Sequence, residues 1–198
     1  PALQGEMTFF DNAGGSQTLK TVADRIQNYL LSTNVQLGAS YQTSQISGDR
    51  VKQAIEFGAE LINARQSSEI IFGGSTTLLL RLLSISMLRT FNPGDEVIVT
   101  DCDHEANIGV WLNMEANGIK VKFWKTNTTS ISLEIDDLKE LLTPNTKLVA
   151  VTHASNILGS INPIKESTEI VHAAGAKICV DGVAYAPHRL IDVQELDV

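Results

Sequence analysis

Short apolar, β-branched runs alternate with stretches of helical periodicity along most of this chain. Glu96-Val-Ile-Val-Thr100, Lys147-Leu-Val-Ala-Val-Thr152 and Lys177-Ile-Cys-Val-Asp181 are the clearest runs. This order leaves few folds open. Strands joined through helices pair in parallel, and a parallel sheet is covered on both faces. The fold class read from the pattern is α/β, three-layered, with a mostly parallel sheet between helices. Glu69–Phe72 reads as a further strand, and Lys120–Lys125 alternates like a half-buried or edge strand. Helices are expected over Thr76–Phe91, over Ala106–Asn117 ending at Gly118, over Ile135–Leu142, and over Ile164–Ala174 with Gly175 as C-cap.

The first 60 residues are less regular. Phe9-Phe10-Asp11 is a short apolar start, and Asn12–Gly15 reads as a turn. Leu19, Val22, Ile26, Tyr29 and Leu30 recur at steps of three and four, as in an amphipathic helix. Ser32–Ser47 reads as a long polar loop, and Val51, Ala54, Ile55, Gly58, Leu61 and Ile62 mark the next helix. The organisation expected is an N-terminal segment over 1–45 and a large domain over 46–198. Leu190–Val198 shows no helix cap and no polar tail, and reads as a stop just before another strand. The first residue is Pro, so the chain is expected to start inside a longer reading frame.

Composition excludes several classes of function. Fifteen Lys+Arg stand against 23 Asp+Glu, a net charge of -8. That balance argues against nucleic acid and against an anionic membrane surface as partners. The longest uncharged run, Leu148–Ile164, contains Thr, His, Ser and Asn and falls short of the ~20 apolar residues a membrane helix needs. No signal peptide is visible, and two cysteines make no disulfide framework. A cytoplasmic setting is expected.

In open parallel sheets ligands bind outside the carboxyl ends of the strands. Four such ends carry polar residues. Gly73-Gly74-Ser75-Thr76-Thr77 opens a helix, where free N–H groups and hydroxyls suit a phosphate, although a plain N-cap has the same residues. It matches neither of the glycine-rich nucleotide motifs. Asp101-Cys102-Asp103-His104 could hold a metal by residue type, but no second Cys/His pair stands at a zinc spacing, so no metal is expected. There, a structural reading with Asp103 as an N-cap competes with a site role for His104. Asn156 follows the next strand as a turn residue or a ligand. Asp181 ends an apolar strand, where a carboxylate is costly unless paired. It would cap a turn or face a cationic ligand.

Taken in order, these segments resemble fold type I enzymes of pyridoxal 5'-phosphate, and more narrowly the class V aminotransferase and cysteine desulfurase family. The resemblance is carried by Phe10-Asp11-Asn12-Ala13-Gly14, Phe72–Thr77, Asp103–Ile108 with Trp111, Thr152–Gly159 with Asn162-Pro163, and Val180-Asp181-Gly182 with His188. It implies that Asp181 pairs with the protonated pyridine nitrogen and that His104 stacks on the ring. Ser75, Thr76 and Thr77 would hold the phosphate. Asn156 would bond the ring hydroxyl or the substrate carboxylate, and Ala13 and Gly14 would line the substrate side. The implied activity is that of a desulfurase or C–S lyase on a small amino acid, with transamination or epimerisation as alternatives. A truncated, non-catalytic homologue that binds a partner is a further alternative. A homodimer with the site at its interface is also implied.

Three departures stand out. Ala184 replaces a family Gln, and Gly73 replaces a family Arg. None of the nine lysines occupies the place of the cofactor-bound lysine, which in the family lies beyond the position of Val198. Cys102 and Cys179 do not match the persulfide cysteine of desulfurases. The fragment alone is therefore expected to be inactive, with an exposed strand edge and poor solubility.

Overall fold

The computed structural model describes residues 2–6 and 8–198. The chain divides into two compact units: Pro1–Glu60 with Gln66–Ile70, and Leu61–Arg65 with Ile71–Val198.

In the second unit the alternation is realised as one four-stranded sheet. Its strands are β1 (Glu96–Thr100), β2 (Lys120–Trp124), β3 (Thr146–Thr152) and β4 (Lys177–Asp181). The order is β2-β1-β3-β4, and every neighbouring pair is parallel. Side chains alternate between the two faces of each strand. Ile98, Trp124, Val149 and Val151 share one face with Leu138 of α5 (Ile135–Leu141) and with Ile164 and Val171 of α6 (Ile164–Ala173). Val97, Val99, Leu148 and Ala150 share the other with Leu80 of α3 (Thr76–Leu88) and Trp111 of α4 (Gly109–Leu112). Each fully buried aliphatic side chain of this kind contributes roughly 1.5–3 kcal/mol. The three layers expected from the alternation are present.

The first unit holds α1 (Lys20–Ser32) and most of α2 (Gln42–Leu61). The apolar positions of α1 recur at the expected spacing, yet none of its residues is buried. Arg50 of α2 ties the two helices together, donating to Thr33 Oγ1 at 2.8 Å and Asn28 Oδ1 at 3.3 Å.

Several expectations are corrected. Glu69–Phe72 is not a strand. Ile70 has extended backbone, but the segment has no ladder partner among the described residues, and a strand exists only where its N–H and C=O groups find one. The loop expected over Ser32–Ser47 is shorter, because α2 already starts at Gln42, and Ser44 within it is buried and donates to the Gln36 carbonyl at 2.7 Å. The helix from Thr76 stops at Leu88 instead of Phe91. Ala106–Asn117 is not one helix but a turn (Glu105–Asn107), the single turn of α4, and a 3-10 stretch over Asn113–Asn117. That stretch ends, as expected, at Gly118, which has φ +83, and a Cβ there would lie 3.0 Å from Pro93. The tail is capped after all: Asp192 accepts from the N–H groups of Gln194 and Glu195 and starts α7 (Val193–Leu196). Finally, β4 is less buried than a central strand. It pairs only with β3 among the described residues, and Ile178–Val180 are half-buried.

Candidate functional site

The carboxyl ends of β1, β3 and β4 lie side by side, and the loops that leave them are tied across the strands. Ser155, past β3, donates its hydroxyl to the Cys102 carbonyl past β1 at 2.7 Å. The His153 N–H donates to the Asp181 carbonyl at 2.8 Å. The α3 helix packs against the Glu105–Asn107 turn. Its C-terminus leads into the amino end of β1, and thirteen residues at 1.5 Å each carry its N-terminus back toward the carboxyl edge. Ser75, Thr76, Thr77, His104, Asn156 and Asp181 therefore belong to one edge of one sheet.

Ser75 is the N-cap of α3, and its hydroxyl accepts from the Leu78 N–H at 3.2 Å. The Thr76 and Thr77 N–H groups have no acceptor inside the helix, since first-turn donors point outward. All three residues are exposed. A Cβ at Gly73 would lie 2.6 Å from Leu79 Cδ2, so the turn packs closely on α3.

His104 is exposed and caps the Glu105–Asn107 turn, its Nδ1 accepting from the Ala106 N–H at 3.1 Å. Asp103, the cap in one of the two readings of this end, has another task. It is buried and accepts from Thr100 Oγ1 and, at 3.0 Å, from Asn107 Nδ2. Burial drives its carboxyl up to about 6. The bonds from Thr100 and Asn107 and the Thr152 backbone offset part of that rise, and the charge of Asp181 adds to it.

Asp181 is 8% exposed. Its Oδ1 accepts from the Val183 N–H at 2.9 Å, the turn cap foreseen as one alternative. Its Oδ2 has no hydrogen-bond partner among the described residues and is open to a donor. Asn156 is half-buried, and its side chain makes no hydrogen bond there either. Sequence reasoning missed a stacked pair: the His153 and Tyr185 rings lie 3.5 Å apart and 6° from parallel. No local pattern links residues on two different loops. Burial keeps His153 below its usual imidazole range, and its Nδ1 has no hydrogen-bond partner among the described residues. Ala184 is half-buried on the turn that carries Tyr185, and His188 is exposed. Ala13 and Gly14 are exposed residues of the Asn12–Gly14 turn in the first unit. No group of three potential metal ligands is found among the described residues, nor any helix long and apolar enough to cross a membrane.

Known proteins can now be set beside this geometry. The chain is 49% identical over 203 residues to the aminotransferase-like protein FGM3 of Gibberella zeae, covering 99% of this chain and 50% of that protein. It is 38% identical over 209 residues to the cysteine desulfurase-like protein ustD of Aspergillus flavus, covering 100% and 46%. Among solved structures, the apo cysteine desulfurase of Thermococcus onnurineus NA1 superposes with a TM-score of 0.90 at 27% identity, over 98% of this chain and 48% of that one. The chain thus spans about half the length of these relatives. The family profile described as aminotransferase class-V matches residues 8–198. With the fold and nearly the whole sequence in agreement, this chain belongs to the aminotransferase class-V family.

Proposed function

We propose that the protein is a pyridoxal 5'-phosphate enzyme acting on a small amino acid, of the cysteine desulfurase or C–S lyase kind, and that this chain holds the cofactor. The observation that carries the reading is Asp181: a buried strand-end carboxylate with one oxygen bound to its own turn and the other free for a donor. A protonated pyridine nitrogen is such a donor, and a carboxylate beside it keeps it cationic. The other residues fit the rest of the group. Thr76 and Thr77 offer outward N–H groups and hydroxyls to the phosphate beside the Ser75 hydroxyl. His104 offers an exposed flat ring to the cofactor face. Asn156 offers an uncommitted amide to the ring hydroxyl or to a substrate carboxylate. Ala13 and Gly14 are assigned to the substrate side by resemblance alone.

When bound, the cofactor supplies an electron sink for the electron pair left at the substrate's Cα. This chain supplies the fixed charge at Asp181, the anion site at α3 and the ring contact at His104. The structures and relatives named cysteine desulfurase support the sulfur chemistry. The relative at 49% identity is named aminotransferase-like, and that observation favours transamination as the second reading. A homodimer and a cytoplasmic setting complete the proposal. The first rests on the family resemblance and the second on the two free cysteines.

The test uses the full-length protein with L-cysteine and other small amino acids. With a thiol reductant added to release persulfide sulfur, alanine with sulfide marks desulfuration, pyruvate with ammonia and sulfide marks lysis, and a 2-oxo acid with a converted cofactor marks transamination. Asp181→Asn keeps the turn cap and removes the charge, so it should weaken cofactor binding at least tenfold. A wild-type protein that does not retain the cofactor, or an Asp181→Asn variant that binds it equally well, overturns the proposal.

A further inference from the structure

Asp103 is 4% exposed, and no cation lies within ion-pair distance of it among the described residues. Burying a carboxylate without a cation is costly, so its surroundings must answer it with hydrogen bonds. The donors come from separate pieces of the fold. Thr100 Oγ1 reaches it from the end of β1, and the Thr152 backbone is turned toward it from the end of β3. Asn107 Nδ2 reaches it from the far side of His104. Asn107 also grips His104 directly, its backbone N–H donating to the His104 carbonyl at 2.8 Å. Asn107 is itself held, since Trp111 Nε1 donates to its Oδ1 at 3.1 Å. Asn107 and Trp111 are both fully buried. The exposed imidazole of His104, by contrast, has one hydrogen bond, from the Ala106 N–H to Nδ1. A ring that accepts at Nδ1 carries its hydrogen on Nε2 when neutral. Whatever fixes the turn therefore fixes both the plane of this ring and its tautomer.

We propose that Asp103 is a positioning residue that, through Asn107, sets the orientation and the Nε2–H tautomer of His104. The inference rests on the reading of His104 as the cofactor's ring contact. Asp103→Asn is the informative change. The carboxylate accepts from two side-chain donors, Thr100 and Asn107, and an amide of the same shape turns an NH2 group toward one of them.

Two measurements on the full-length protein decide the matter. Long-range 1H–15N correlation spectra of the histidine rings, recorded without cofactor, report each tautomer. Pyridoxal 5'-phosphate dissociation constants are then measured for wild type, Asp103→Asn, His104→Ala and the double variant. The expected results are an Nε2–H ring at His104 in wild type and mixed tautomers in Asp103→Asn, with His153 and His172 unchanged. Binding should weaken at least fivefold in Asp103→Asn, and by less than a further twofold when that change is added to His104→Ala. A mere loss of stability would leave the ring signals of the folded protein in place. Unchanged His104 signals in Asp103→Asn, or effects that add in full in the double variant, overturn the proposal. If His104→Ala binds the cofactor as wild type does, the ring contact is wrong and the brace loses its purpose with it. Should Asp103→Asn not fold, Asn107→Ala cuts the same link from its other end and must give the same two signatures.

Discussion

Glu96 opens β1 and is 6% exposed; Asp103 lies three residues past the strand's other end and is 4% exposed. The two buried carboxylates are met in opposite ways. Lys122 Nζ stands 2.6 Å from Glu96 Oε2, and the hydroxyls of Thr143 and Thr146 donate to the same oxygen at 2.6 and 3.4 Å. Burial by itself would raise the Glu96 carboxyl, but Lys122 and the hydroxyls hold it below its usual range. At Asp103 burial wins: its donors among the described residues are neutral and offset only part of the rise, and the charge of Asp181 adds to it. The amino edge of the sheet satisfies its buried carboxylate, Glu96. The carboxyl edge leaves groups open: Asp181 Oδ2, the Asn156 amide and the buried Nδ1 of His153. Under the proposed function, a ligand at the carboxyl edge would supply the missing partners.

The largest effect expected from this contrast is at the amino edge. Lys122→Met leaves Glu96 buried without its cation and should lower the unfolding free energy by about 3 kcal/mol in denaturant titrations. A loss below about 1 kcal/mol would mean that the hydroxyls alone suffice, and the contrast between the edges would collapse.

The pH dependences of the two ends should have opposite signs. Asp103 has a folded-state value of about 6 against an ordinary 3.8. Its contribution to stability is thus complete below pH 3.8 and is lost as pH rises through 6. Between those limits, the stability of wild type relative to Asp103→Asn should fall by about 3 kcal/mol. Glu96 is held below 4.5, so its contribution is present above that pH and disappears as pH falls. Wild type relative to Glu96→Gln should therefore lose stability on acidification. Parallel slopes for the two variants would refute the comparison.

The smallest effect sharpens the picture at the carboxyl edge. Ser75→Ala removes the cap of α3 and should cost about 1 kcal/mol in thermal unfolding. If Ser75 also binds phosphate, adding inorganic phosphate should stabilise wild type more than the variant.

Much of the scaffold was legible in the sequence because it is a matter of period. The bounds of β1 and β4 follow from runs of β-branched residues between turn signals. Gly118 and Gly175, with φ +83 and +78, end their segments as glycines can. What failed depended on partners distant in sequence. Glu69–Phe72 has the composition of a strand, but pairing is not a property of a segment alone. The single helix expected after His104 is broken near Gly109, where a Cβ would lie 2.5 Å from Glu105 Oε1. At the site, His104 and Asp181 could be singled out as polar residues at strand ends. Asp103 as a cap was one of two open readings of this end, and the structure gives the cap to His104 instead. A signal was present nonetheless: Asp103, Asn107 and Trp111 are spaced by four, which places them along one side of a helical path. The grip of Lys122 on Glu96 had no such signal, since it joins residues 26 apart across two strands.

The two tryptophans have a consequence for observing this molecule. Trp111 sits in the layer of α3 and α4, Trp124 in the layer of α5 and α6, and both are fully buried. Trp124, the last residue of β2, donates to the Glu134 carbonyl at 2.9 Å, a bond that involves none of the candidate site residues. Trp111 donates to Asn107, one step from Asp103. This chain therefore carries one natural fluorophore per layer, one hydrogen-bonded a single step from Asp103 and the other held on the opposite face of the sheet. Light from the first should follow protonation of Asp103, and light from the second should report the other layer.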